Sequence, residues 1–480
     1  VRNLTTDSVV YGAGSIAIKV IGFLLIPIYS SYLTPAAYGA LALVTMFGSF
    51  VALAIGLGQH TAIFRFYFKY PAEDPRRGAA ISSFLAIIAA MAVPCALLAS
   101  ASKPIARVLM NDGGLALLIL MMIAINYLDL VEKVPLVLIR ARRLATRYSA
   151  YSLIRTVTTI SLILLFVVVL KLGAKGVLLG QLISGVLFTV LLYAIFMRGQ
   201  RPSWDREVGP AMLRFGLPLV PGLVLFSVFQ YANRYFLQEF KGIDAVGQYA
   251  LGSRFGEIIA LMNTAIQTAW PVFLYESESD ERAPELYARA MTYYLAVAGS
   301  IAAALTVFSP EVYALMVHRT FAESIVVVPY VAVAYVFMGV YQFGAVGINL
   351  KEKTNYYMII TGAAAVVSVV ANIVLIPRWG IVGAAAATLL AFATQAIASQ
   401  IIAQRFYRVP YEWRRILTLV AVLVVTASAA RALPGQGTVS SLALKAALLV
   451  LFVPAMLWVS RFFAPDERQR LIAILRRRKA

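Results

Sequence analysis

Residues 39–48, GALALVTMFG, and residues 247–256, GQYALGSRFG, share five of ten positions at an offset of 208. Two more matches keep nearly the same register. TRY at 146–148 pairs with TNY at 354–356, and GAKG at 173–176 pairs with GIVG at 380–383, the last at an offset of 207. Three ordered matches at one spacing read as a duplication, with six long apolar runs in each copy. An even number of membrane crossings returns the chain to its starting side, so the copies are parallel repeats, the arrangement expected of two lobes facing each other.

Composition supports a membrane reading of those runs. Of 480 residues, 61% are hydrophobic and only 13% charged, with a mean hydropathy of +0.82. Soluble domains carry about 25% charged residues, and a helix needs about 20 apolar residues to cross a bilayer. The expected fold is an all-α polytopic membrane protein with fourteen transmembrane helices. They fall near 9–31, 38–62, 79–102, 113–138, 149–170, 176–197, 211–238, 246–275, 287–308, 324–349, 355–376, 380–404, 416–433 and 440–462. Residues 1–200 then form an N-lobe of helices 1 to 6, and 201–408 a C-lobe of helices 7 to 12. Residues 409–480 add helices 13 and 14 and a basic tail.

The net charge of +20 does not point to nucleic acid, because the basic residues lie mostly in short loops between apolar runs. With the N-terminus inside, the inner loops and tail carry roughly three times as many Lys and Arg as the outer loops, so both termini are expected to be cytoplasmic. The tail DERQRLIAILRRRK (466–479) reads as an interfacial helix at anionic headgroups. The single cysteine, Cys95, excludes a disulfide framework and a thiolate metal site. The first apolar run lacks a small-residue cleavage site and is expected to remain as a helix. No Gly-x-x-x-x-Gly-Lys-Ser/Thr loop for nucleotide phosphates occurs.

Charges inside the runs carry the functional signal. A central Arg or Asp costs about 2.5–3.5 kcal/mol on insertion scales, so such residues face a bundle interior or a wet cavity. The basic ones are Lys19, Lys133, Arg155, Arg234 and Arg254; the acids are Asp129, Glu132 and Glu257. Lys19 and Arg254 sit roughly 15 Å from the near ends of their helices, close to the midplane. Arg234 and Arg155, near helix ends, either line a cavity or snorkel to the surface. Asp129 and Lys133 are spaced i, i+4 with Glu132 beside Lys133. They form either a self-neutralising pair or a proton or cation site, for which H+ or Na+ are the candidates. Glu257 either joins that role or neutralises Arg254. An excess of positive charge suits a diphosphate, since Arg offers a planar fork of donors and Lys a compact cation. Gln230, Tyr231, Asn263 and Gln267 offer the looser polar and aromatic contacts that sugars need.

Four stretches resemble one family. FGLPLVPGLVLFSVFQYANRYFL (215–237) is similar to its seventh-helix pattern, and VGQYALGSRFGEI (246–258) with Trp270-Pro271 to the helix that follows. IPRWGIVGAAAATLL (376–390) resembles its link between helices 11 and 12, and LLIPIYSSYLTPAAYG (24–39) the end of its first helix. These are marks of the bacterial polysaccharide flippases, the O-antigen and exopolysaccharide repeat-unit exporters. They lie within the superfamily of multidrug, oligosaccharidyl-lipid and polysaccharide exporters. Asn233 departs from the pattern, because an acidic residue often precedes the Arg in relatives.

The resemblance implies two six-helix lobes around a central cavity that opens alternately to either side. The implied cargo is an undecaprenyl-diphosphate-linked oligosaccharide, moved across the bacterial inner membrane. Further expectations are membrane lipids and the polysaccharide polymerase and chain-length proteins as partners, a functional monomer, and no nucleic acid, cofactor or metal. A lipid II flippase is the alternative. A multidrug antiporter should carry an acidic cavity, and a polymerase or ligase enzyme a large outer loop with reactive residues; neither pattern is found here.

Overall fold

The computed structural model describes residues 22–23, 25–71, 73–142, 144–432, 439–459 and 462. Every regular element among them is helical. The principal helices are α1 (Pro35–Gly56), α2 (Pro75–Ser100), α3 (Ala116–Ala141), α4 (Ala145–Leu164), α5 (Gly173–Phe196) and α6 (Val220–Lys241). They continue with α7 (Ile243–Glu276), α8 (Ala283–Met316), α9 (Val328–Gly344), α10 (Asn355–Phe406), α11 (Trp413–Arg431) and α12 (Val439–Ala447).

Local chemistry sets where the first helices begin. The Thr34 hydroxyl accepts from the Ala37 N–H at 3.2 Å and Pro35 follows, an N-cap with a pre-set φ at the first helical position. Asp74 caps α2 in the same way, accepting from the Arg76 N–H at 2.9 Å ahead of Pro75. The Arg76 guanidinium also donates to this carboxylate, and the two bonds hold the Asp74 carboxyl below the usual carboxylate range.

Twelve helical stretches among the described residues are long and apolar enough to cross a membrane. They match the predicted spans from the second to the last, with one difference. Predicted spans 355–376 and 380–404 run together as the 52 residues of α10, whose helical geometry breaks only at Gly380, φ 56° and ψ −127°. That conformation is open almost solely to glycine, so one residue turns the chain where a loop was expected. The predicted first span, apart from a short helix Ile26–Tyr32, and the predicted tail helix lie outside the described residues. Val93, Leu97, Val190, Val366 and Leu417 are exposed, as side chains that face lipid tails should be.

The chain divides into two compact units, Val1–Leu251 with Ala365–Ala387, and Gly252–Ala364 with Thr388–Ala480. The first contains α1 to α6, the start of α7 and the Gly380 break. The second contains the rest of α7, α8, α9, both ends of α10, α11 and α12.

The matched glycines of the repeat occupy matched geometry. Within the first unit, a Cβ at Gly39 would strike the Ile243 carbonyl oxygen and the Gly247 nitrogen, and one at Gly247 would strike the Pro35 carbonyl oxygen and the Gly39 nitrogen. The two copies of one glycine therefore lie against each other. Gly173 and Gly380, also a matched pair, share a positive φ of 58° and 56°. Gly48 lies against Met122 of α3, while in the second unit Gly256 lies against Val331 of α9.

Gly39→Ala is expected to destabilise the protein by about 1–3 kcal/mol through overpacking. Gly362→Ala is the control, because a Cβ there meets nothing within 4 Å and gains helix propensity. Thermal unfolding of the purified variants in detergent checks this; equal midpoints for the two would disprove the close approach.

Candidate functional site

In the first unit, α3, α4 and α5 bring together a cluster around one buried carboxylate. Asp129, Glu132 and Lys133 share a face of α3 by helical spacing. Arg155 of α4 reaches Asp129 through Nη2 at 2.8 Å, and its Nε stands 3.3 Å from Glu132 Oε2. The second contact is an ion pair without hydrogen-bond alignment, since Nε has no hydrogen-bond acceptor. Glu132, 2% exposed, accepts from the Tyr151 hydroxyl at 2.8 Å and from the Thr189 hydroxyl at 3.1 Å. The Tyr193 hydroxyl donates to the Val131 carbonyl one residue earlier.

Two sequence expectations change here. Arg155 does not snorkel; it bridges two carboxylates. Asp129 does not pair with Lys133, which is half-buried and makes no ion pair among the described residues. The reason is donor geometry: a guanidinium fork can serve two carboxylates one helical turn apart, and an ammonium on the same helix cannot match it. Tyr151, four residues before Arg155, was legible as a helix-face neighbour but was not singled out. Thr189 carries no sequence signal, because it reaches Glu132 only through the packing of α5 on α3.

Arg234 is also held inside this unit. Its Nη1 donates to the Ala42 carbonyl of α1 at 3.3 Å, and its guanidinium lies 4.9 Å from the centre of the Tyr231 ring. It bonds no carboxylate among the described residues. The neighbouring Asn233 donates instead to the Tyr249 hydroxyl at 2.7 Å, so the acidic residue of the family pattern is replaced by a neutral bond. Gln230 keeps a buried Oε1 with no partner. Lys19 lies outside the described residues.

In the second unit, Gly252 and Gly256 press α7 against Ser324 and Val331, as their small-xxx-small spacing suggests. Arg254 points away from that contact. It is 51% exposed and meets Glu257, 41% exposed, at 3.2 Å. Asn263 is a correction. It is fully buried, its amide donates to the Tyr335 carbonyl at 2.8 Å, and its oxygen accepts from the Tyr294 hydroxyl at 3.0 Å. With both ends used in joining α7, α8 and α9, it has no polar edge left for a sugar. Gln267, one turn further along, instead lines a pocket with Trp270, Tyr341 and Gln342.

One buried charge pair escaped the sequence reading. Lys445 of α12, inside the predicted span 440–462 but not named among its charges, is 1% exposed, and its ammonium donates to Glu311 of α8 at 2.6 Å. Their separation of 134 residues leaves no local pattern to read.

The family profile described as polysaccharide biosynthesis protein matches residues 4–274, more than half of the chain. No curated protein matches it in sequence. Among solved structures, the lipid II flippase MurJ in an inward closed conformation is similar with a TM-score of 0.76 and 12% identity, over 93% of this chain and 98% of that one. An inward-facing multidrug resistance MATE family transporter of the MOP superfamily is similar with a TM-score of 0.64 and 18% identity, over 80% and 93%. Its outward-facing counterpart gives 0.58 and 17%, over 84% and 95%. These likenesses describe a shared fold.

Proposed function

We propose a function from one premise: this chain belongs to the polysaccharide biosynthesis protein family. It is a multi-pass membrane protein with the fold found in flippases and MATE transporters, and we read it as a transporter and not an enzyme. Its cargo in this reading is an undecaprenyl-diphosphate-linked oligosaccharide. The cargo moves from the cytoplasmic to the outer leaflet of the bacterial inner membrane by alternating access of two lobes, and both chain termini stay cytoplasmic. A polymerase and chain-length proteins are the partners that would take the product.

One observation carries the choice of cargo. Lys133 and Arg234 lie inside membrane spans, and neither forms an ion pair with a carboxylate among the described residues, although Asp129 one turn away offsets part of the Lys133 charge. Cations without an ion-pair partner inside a span are costly, and a phosphate group of the cargo is the ligand that would match either of them. Cationic drugs would need the opposite sign. In the second unit, Arg254, half-exposed beside Glu257, is a separate candidate for contact with phosphate. The coupling role goes to Asp129, Glu132 and Glu257, with H+ or Na+ as the ion. Collapsing the proton or sodium gradient across vesicles should stop flipping, and unchanged rates would remove the three carboxylates from that role.

Arg234→Ala and Arg254→Ala are each expected to cut surface polysaccharide at least about tenfold, the loss of roughly one charged hydrogen bond to phosphate, with membrane levels unchanged. Normal export in both variants would sink the diphosphate assignment. The likeness to the lipid II flippase over 93% of the chain keeps a second reading open. It is tested by whether the chain supports growth of cells depleted of their lipid II flippase.

A further inference from the structure

At one end of the second unit, the C-terminal part of α7, the end of α9 with the short helix Val346–Leu350 after it, and the start of α10 line an open pocket of about 310 Å³. Its wall carries Gln267 and Trp270 from α7, Tyr341 and Gln342 from α9, Asn349, and Tyr357 from α10. Among the described residues, no charged one lines it. By the alternation of spans this is the end assigned to the cytoplasm, where the proposed cargo is loaded.

Three features of the wall call for a polar, uncharged ligand. Trp270 is 7% exposed, yet its indole N–H has no hydrogen-bond partner. Both polar atoms of the Gln342 amide are buried without a partner. Unmatched buried donors and acceptors in native proteins need a reason; these atoms have no open surface in this structure, so a ligand completes their bonds as the Gln342 and Trp270 side chains turn toward the pocket. Asn349 accepts from the Tyr357 hydroxyl through its oxygen, which fixes the amide and leaves its NH2 as a donor. The aromatic surface is also rigid. The Trp270 ring packs 4.4 Å from Phe343, 5.6 Å from Phe273 and 5.9 Å from Tyr287, centre to centre. Tyr341 and Tyr357 meet edge to face at 6.2 Å.

A pyranose ring matches this set. It offers a face of C–H groups to an aromatic ring and a rim of hydroxyls that donate and accept to amides. The volume is at the small end of ligand pockets, which span roughly 300–1,000 Å³. A diphosphate would bring charge into a wall with no cation to meet it. We propose that this pocket binds one uncharged sugar ring of the cargo, separately from the basic residues assigned to the diphosphate. The inference rests on the flippase reading and deepens it, since it makes the second unit a reader of the sugar.

The test uses the full chain purified in detergent and measures binding of undecaprenyl diphosphate, bare or carrying glucose, galactose or N-acetylglucosamine. At least one glycolipid should bind about tenfold tighter than the bare lipid. Gln342→Ala and Trp270→Phe, the latter keeping a ring while removing the N–H, should each erase most of that tenfold increment and leave bare-lipid binding unchanged. Equal binding of all four lipids would overturn the sugar pocket and leave the cargo reading standing. Variants that weaken bare and sugar-bearing lipids alike would also overturn it, as a structural effect. Failure of every lipid to bind would defeat the cargo reading, and the pocket with it.

Discussion

Lys445→Met is expected to destabilise the protein by about 3–5 kcal/mol, the usual result of removing one partner from a buried ion pair. The pair is desolvated on both sides, with Lys445 1% and Glu311 12% exposed at an Nζ–Oε1 distance of 2.6 Å. Glu311 Oε2 has no other protein partner, so loss of the ammonium strands a carboxylate among apolar side chains. The pair itself is another matter. Replacing two buried charges with apolar groups of similar size is often neutral or stabilising, so Glu311→Leu combined with Lys445→Met should recover most of the loss. Thermal unfolding in detergent separates the cases. A single variant with an unchanged midpoint, or a double variant worse than the single, would contradict the pairing.

The second large effect belongs to Arg155→Met. Glu132 is 2% exposed and loses the guanidinium that stands beside it, while Asp129 is 46% exposed and less confined. Because Arg155 is itself 31% exposed, solvent screening puts the cost near the bottom of the buried-pair range, about 3 kcal/mol. Glu132→Gln in the same chain should restore folding, because its amide oxygen still accepts from the Tyr151 hydroxyl while its NH2 donates to the Thr189 hydroxyl oxygen. Export distinguishes a structural cluster from a coupling site. If Glu132 loads the coupling ion, the double variant folds yet exports no polysaccharide, and Glu132→Gln alone loses its response to the gradient. Restored export in the double variant would leave the cluster a purely structural one.

The positions of the membrane helices were legible in the chain because lipid imposes a one-dimensional rule: about 20 apolar residues in a row, interrupted by charge. The same logic marked Asp129, Glu132, Lys133, Arg155, Arg234, Arg254 and Glu257 as residues that need a reason. It did not assign their partners. Arg155 was read as a snorkelling candidate, yet it bridges Asp129 and Glu132. Asn263 was read as a sugar contact, yet it fastens three helices. Gly380 was read inside a short link, yet it is the one non-helical residue in α10.

Hydropathy, the 208-residue repeat and its glycines were thus enough for an all-α membrane protein with an internal duplication, because spacing along the chain records what must face lipid and where helices must approach closely. Which charges meet depended on folding. Lys445 finds Glu311 across 134 residues, and Thr189 finds Glu132 across 57. Pairings at such distances are set by which helix faces pack together, and each candidate charge had several partners of equal merit until the packing chose among them.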